Sequence, residues 1–356
     1  MTMAGMAALP VGAHVSHGSA EPPTRRAQLL AQAEALLARR DAAAALQAFE
    51  SAGLQLHAAD AELGVVRCMM QQGEYRRALA FAAHTAGAHQ DEAGGAALYA
   101  WLLHAGGQGA LARGVLQQAR DRDGQQPLLA AVSRELARPW PIAQGPLLVA
   151  PSRLAPYANP VRARVVCSAT LVRGGRSALL PASRVREGAR YWVRNGLGDT
   201  VAARASARVP NLGLAELLLD APLPAADVRL AARDPFPGSV AFAVEYAPHP
   251  AGLPAWPLLK PGFVGAALPQ DGLRALGVAL PAGSPRGGPV FDRHGALCGI
   301  ALNQGHLDRL VGVARLRAWS GSGLPAPNGD DAGPAAMGLD AVYELGLRVA
   351  LQVLSA

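Results

Sequence analysis

The chain has 356 residues, of which 51% are hydrophobic and 17% charged. That is enough apolar material for more than one core and too little charge for a disordered chain. No segment approaches the run of about eighteen uncharged apolar residues that a membrane-spanning helix needs. Three widely separated cysteines (Cys68, Cys167 and Cys298) imply neither a disulfide framework nor a zinc site, which favours a reducing cytoplasm. The net charge of +7 sits in one place. Residues 151–200 carry nine Arg against Glu187 and Asp199, while the residues on either side balance. Such a patch suits an acidic partner surface, and its plain alternative is a solvated face.

Residues 1–24 read as a disordered leader, because their apolar stretch is broken by Gly and Pro and no basic segment precedes it. Residues 25–137 are rich in Ala, Leu, Gln, Glu and Arg, and their apolar positions recur at three and four, as in Leu29, Leu30, Ala33, Leu36 and Leu37. The segment repeats itself. DAAAALQAFESA (41–52), EYRRALAFAAHT (74–85) and QGALARGVLQQA (108–119) align without gaps, with Ala45, Ala78 and Ala112 at the same point. A period of 33 to 34 residues built from two helices resembles the tetratricopeptide repeat, in which a small residue lets paired helices approach. The resemblance implies a solenoid that binds peptides or docks proteins, with residues 125–137 as its capping helix. His57, His84, His89 and His104 show no metal-ligand spacing and read as surface or packed histidines, so no metal or other cofactor is expected.

Residues 138–160 form a proline-rich linker. Beyond it, short apolar stretches such as Arg164–Leu171, Ala178–Leu180, Tyr191–Val193, Leu214–Leu219, Val240–Tyr246 and Leu297–Leu302 alternate with Gly, Pro and Asp turns. This pattern predicts an all-β domain, and its length suits two small barrels. The segment GSPRGGPVFDRHGALCGIAL (283–302) then resembles the stretch around the nucleophile of trypsin-like, and especially HtrA-like, serine peptidases. Gly287, Gly288, Pro289, Phe291, Asp292, Gly295, Gly299 and Ile300 match that pattern. SALLPASRV (177–185) resembles the family's histidine segment, NLGLAELLLDAPLP (211–224) its aspartate segment, and VGVARLRAW (311–319) its last strand. The resemblance spans residues 161–319 and implies a double barrel with a triad in a solvent-facing cleft.

The chemistry is absent at all three matched positions. Arg286 stands at the nucleophile, Arg184 at the base and Asn211 at the orienting carboxylate. A guanidinium with a pKa above about 12 serves as neither nucleophile nor base, and Asn carries no charge to stabilise an imidazolium. A displaced triad would need Ser284 as nucleophile with His294 or His306 as base; Cys298, within an apolar run, reads as an inert core thiol.

Residues 320–337 read as a flexible linker. Residues 338–356 read as a C-terminal amphipathic helix with Asp340, Glu344, Arg348 and Gln352 on one polar stripe and apolar residues elsewhere. That wide apolar surface must be covered, either by the chain's own domains or by a partner or second copy.

The sequence therefore predicts a multi-domain α + β protein: an N-terminal tetratricopeptide-like helical repeat and a C-terminal all-β, trypsin-like double barrel. The predicted function is a non-catalytic cytoplasmic scaffold or adaptor in a bacterial-type assembly. The alternatives are a serine endopeptidase with a displaced triad and a regulatory pseudopeptidase that binds peptides without cleavage. Expected partner-binding residues are Arg184, Arg186, Arg190 and Arg194, facing an acidic protein surface, and Leu339, Val342, Leu345, Val349 and Val353, in a possible homo-oligomer. No nucleic-acid partner is expected.

Overall fold

The structure, a computed structural model, describes residues 24–137, 163–224, 228–246, 256–278, 286–304, 307–320 and 335–356. The leader and the proline-rich linker fall outside these residues, apart from Thr24, and so does most of the second linker. The N-terminal part holds α1 (Arg25–Ala38), α2 (Ala42–Gln55), α3 (Ala59–Gln72), α4 (Tyr75–Ala88), α5 (Ala93–Ala105), α6 (Gly109–Arg122) and α7 (Pro127–Leu136). Local signals set these boundaries. Thr24 and Asp41 cap α1 and α2 by accepting backbone N–H groups at 3.2 Å, and Gly73 ends α3 in the left-handed conformation. The starts of α1, α3 and α5 are each 34 residues apart. Ala45, Ala78 and Ala112, the aligned small residues, are all fully buried, so the repeat read from the sequence is a repeat of helix packing.

The C-terminal part is two closed six-stranded antiparallel barrels, as the trypsin-like reading implies. Its strands are β1 (Arg164–Val172), β2 (Ser177–Pro181), β3 (Tyr191–Asn195), β4 (Thr200–Val209), β5 (Leu214–Leu219), β6 (Val240–Glu245), β7 (Leu258–Ala267), β8 (Arg274–Val278), β9 (Pro289–Phe291), β10 (Leu297–Gln304) and β11 (Leu307–Gly312). Two helices follow, α8 (Val313–Ser320) and α9 (Leu339–Val349), and then a final strand, β12 (Ala350–Ser355). Barrel 2 runs β6-β7-β8-β11-β10-β9. Barrel 1 runs β12-β1-β2-β5-β4-β3, the same winding with its first strand supplied by β12. Between the barrels, Val172, Leu179 and Leu214 of one pack with Ile300, Leu302 and Val311 of the other. Cys68, Cys167 and Cys298 are free and buried. Burial pushes all three thiols up, Cys68 to about 12, which keeps them unreactive.

The tail differs from expectation. The helix stops at Val349, and Ala350–Ser355 pairs with β1 on one side and β3 on the other. The apolar surface that looked too wide for an amphipathic helix belongs partly to a strand buried on both faces. Val342, Leu345 and Val349 lie in the core of barrel 2 and Val353 in that of barrel 1, so these four are not available as an oligomer surface. Only Leu339 of the apolar set is exposed. The polar stripe also divides. Asp340 and Glu344 bond Arg76 at the start of α4, whereas Gln352 is fully buried and accepts from Arg194.

The helical repeat rests against the barrels through that same region. Arg76 Nη1 donates to Asp340 at 2.6 Å, and the Tyr75 ring stands 5.4 Å from that of Trp256. Arg40 pairs with Asp199, in a turn that Asn195 organises by accepting the N–H groups of Leu197 and Asp199 at 3.0 and 2.9 Å. Among the described residues, no helix is long and apolar enough to cross a membrane.

Candidate functional site

Three turns converge at one edge of the contact between the barrels. The first, Ala182–Arg184, follows β2; the second, Pro210–Leu212, precedes β5; the third leads into β9 through Arg286, Gly287 and Gly288. The first two are joined by the Ala182 N–H donating to Gly213 O at 2.9 Å. Gly287 fixes the third against the first. A Cβ there would fall 2.1 Å from Ser168 O and 2.7 Å from Pro181 Cδ, and its φ is +128°, so glycine is required twice over. A Cβ on Gly288 would stand 2.1 Å from Val244 O, so both barrels close on this glycine pair. Thr170 Oγ1 donates to Gly287 O at 2.9 Å, and the Gly288 N–H donates to Glu245 Oε1 at 3.1 Å.

Arg184 and Asn211 are exposed on their turns, and Arg286 is not. Its side chain is only 2% exposed, which corrects the expectation that all three matched positions face solvent. The guanidinium makes a two-point pair with Asp308 on β11, Nε to Oδ1 at 2.8 Å and Nη2 to Oδ2 at 3.0 Å. Asn303 Nδ2 donates to the same Oδ1 at 3.2 Å. Beside this pair, burial pushes the Glu245 carboxyl up to about 7, against the opposing hydrogen bonds from Ser168 and Gly288 and the charge of Arg286. Glu245 is 3% exposed and one of its oxygens accepts no hydrogen bond. A carboxyl so enclosed has no substrate-facing side; it anchors the glycine turn. Neither Asp308 nor Glu245 was singled out from the sequence. Nothing in the pattern around them marks a partner for a buried arginine.

The basic segment also divides on folding. Arg184, Arg186 and Arg190 are exposed, and Arg186 lines a concavity of about 480 Å³ with Arg204 and Arg208 of β4. Arg208 Nη2 donates to Val185 O at 3.1 Å across it. Arg194 is fully buried instead, donating to Thr200 at 3.0 Å and Gln352 at 2.9 Å, and burial pushes its guanidinium down to about 10. It is therefore a barrel residue and not part of a surface patch. The charge count missed Arg204 and Arg208 because β4 lies in the stretch that balances overall.

Of the three residues a displaced triad would use, one is among the described residues. His294 sits in the β9–β10 turn, where its Nε2 accepts from Arg293 at 3.0 Å. Ser284 and His306 lie outside the described residues. A concavity of about 590 Å³ beside His294 is lined by Asp234, Phe236, Asp292 and Arg293, and it shares no residue with the three converging turns.

The fold and these turns define a trypsin-like double barrel carrying an added helical domain. No family model matches the chain, and no curated protein does. Among solved structures, the chain is similar to the protease domain of MamO from Magnetospirillum magneticum, at 20% identity and a TM-score of 0.36 over 45% of this chain and 91% of that one. It is also similar to the HtrA-type protease AlgW bound to a decapeptide, at 20% identity and a TM-score of 0.37 over 44% and 51%. The type III secretion translocator chaperone SycD of Yersinia enterocolitica is similar at 20% identity and a TM-score of 0.29, over 32% and 88%.

Proposed function

We propose that this chain is a non-catalytic scaffold or adaptor, which uses tetratricopeptide-like repeats and a catalytically dead trypsin-like domain to hold protein partners in a bacterial, cytoplasmic assembly. One observation carries the reading: the position matched to the nucleophile is a buried arginine locked to Asp308. A guanidinium held this way neither attacks a carbonyl nor takes up a proton. Arg184 and Asn211, at the positions matched to base and carboxylate, are equally unable to relay one. The purified protein is expected neither to digest casein nor to react with a fluorophosphonate probe. Turnover or labelling that Ser284→Ala abolishes would refute the proposal in favour of a displaced nucleophile.

The exposed arginines favour a second, compatible reading, a regulatory pseudopeptidase that holds an acidic peptide without cutting it. Arg186, Arg204 and Arg208 around one concavity offer such a peptide a short-range positive field.

A further inference from the structure

Side chains far apart in the sequence meet at one end of the α3–α4 hairpin. Glu62 stands in the first turn of α3, His57 lies two residues before that helix, and His89 follows the last residue of α4. Because the two helices run antiparallel, the start of one lies beside the end of the other. The sequence reading of scattered histidines is thereby corrected. One ligand atom from each of His57, Glu62 and His89 lies within 4.8 Å of the others.

The details point to an ion between them. Glu62 is 8% exposed and forms the floor of the cluster, and its Oε2 accepts no hydrogen bond. His89 Nε2 also has no hydrogen-bond partner, yet the two atoms face each other at 3.6 Å. His57 Nε2 stands 2.7 Å from Glu62 Oε1, and His84 Nε2 stands 3.9 Å from that same oxygen. The rings of His57 and His89 are 5.1 Å apart. Leaving a buried carboxylate oxygen and a ring nitrogen without a hydrogen bond is costly. A tetrahedral zinc ion with ligands at about 2.0–2.2 Å holds its donor atoms roughly 3.3 Å from one another, which the observed spacings bracket.

We propose that His57, Glu62 and His89 bind a divalent transition-metal ion of the zinc class, with His84 in reach of the fourth position. Two imidazoles and one carboxylate suit zinc, and they do not suit magnesium or calcium, which take oxygen donors. His57 and His84 are well exposed, so the ion enters from solvent, while the buried Glu62 supplies the charge that retains it. The bound ion ties the loop before α3 to the end of α4, closing the hairpin at the end opposite its short turn.

The test uses the full chain, stripped with a chelator and titrated with Zn²⁺ by calorimetry and with Co²⁺ by visible absorption. One saturable site is expected, with intense tetrahedral cobalt bands and a melting midpoint that rises with zinc concentration. His89→Ala and Glu62→Gln should each weaken binding at least about tenfold, since losing even an indirect supporting group costs that much. His57→Ala, on an exposed loop, keeps the test decisive if either of those variants fails to fold. Absence of saturable binding would overturn the proposal. So would a site of unchanged affinity in every variant, which would belong to other histidines, such as His14 and His17.

Discussion

Replacing Arg286 by serine, the residue the peptidase resemblance asks for, removes a guanidinium that is 2% exposed and strands Asp308, itself 14% exposed. Removing one partner of a buried pair leaves an uncompensated charge and costs about 3–5 kcal/mol. Asn303 still donates to Asp308 in the variant, so Arg286→Ser should fall at the lower end, near 3 kcal/mol. Asp308→Ala should cost more, because it removes the carboxylate that makes the two-point pair with the more deeply buried cation. The double variant should cost less than the sum of the two by about 1–3 kcal/mol, the usual coupling of residues in direct contact. Urea unfolding of the four proteins at neutral pH, followed by circular dichroism, measures all three quantities. Arg286→Ser within about 0.5 kcal/mol of the parent, or strictly additive single effects, would refute the idea that the pair with Asp308 holds the turn before β9 against β11.

Glu245, whose carboxyl is pushed up to about 7 from an ordinary 4.5, binds its proton more tightly in the folded chain. Stability should therefore fall as pH rises from about 4.5 to 7, by about 3 kcal/mol in all, and Glu245→Gln should flatten that slope in melts taken across the range. Deleting residues 350–356 removes the fully buried Leu351, Val353 and Leu354 and exposes the edges of β1 and β3. At roughly 1.5–3 kcal/mol for each large side chain the loss rivals a typical total stability, so the truncated chain should show barrel 1 unfolded by hydrogen exchange. Reversing Arg184, Arg186 and Arg190 to Glu should slow association with an acidic partner and flatten its salt dependence, read by stopped flow at two ionic strengths. The same change at Arg194 should instead unfold the barrel, since it would place a carboxylate beside Gln352 in a fully buried site.

The parts of this architecture legible in the sequence are those with a period or a steric requirement. Ala45, Ala78 and Ala112 are visible because helix packing repeats every 33 to 34 residues. Gly287 and Gly288 are visible because two backbones leave no room for a side chain. Other elements carry weaker marks. In β4, Arg204–Arg208 are exposed, so no apolar alternation shows. β7 contains Pro261, which discourages a strand assignment, although its Gly262 is where the Gly277 backbone of β8 comes closest. The polar stripe through Asp340, Glu344, Arg348 and Gln352 continued a helical spacing past the point where the chain turns into β12. The long-range partner Arg194 shows why Gln352 lies inside. Likewise, the cluster around Glu62 exists only once α3 and α4 pair, which no local spacing of histidines foretells.

The origin of β12 gives the two barrels different closure requirements. Barrel 2 draws all its strands from residues 240–312 and can pair every one of them within that stretch. Barrel 1 cannot, because Arg164 must find Ser355 and Thr170 must find Ala350, close to two hundred residues along the chain. Closing so large a loop has a high entropic cost and delays the pairing. Without β12, the sheet of β1 through β5 has two unpaired edges, at β1 and β3. α9, whose Val342 and Leu345 seat in the core of barrel 2, leads directly into β12 and so ties the closure of barrel 1 to barrel 2. A chain that lacks β12 therefore offers two strand edges for pairing with another chain.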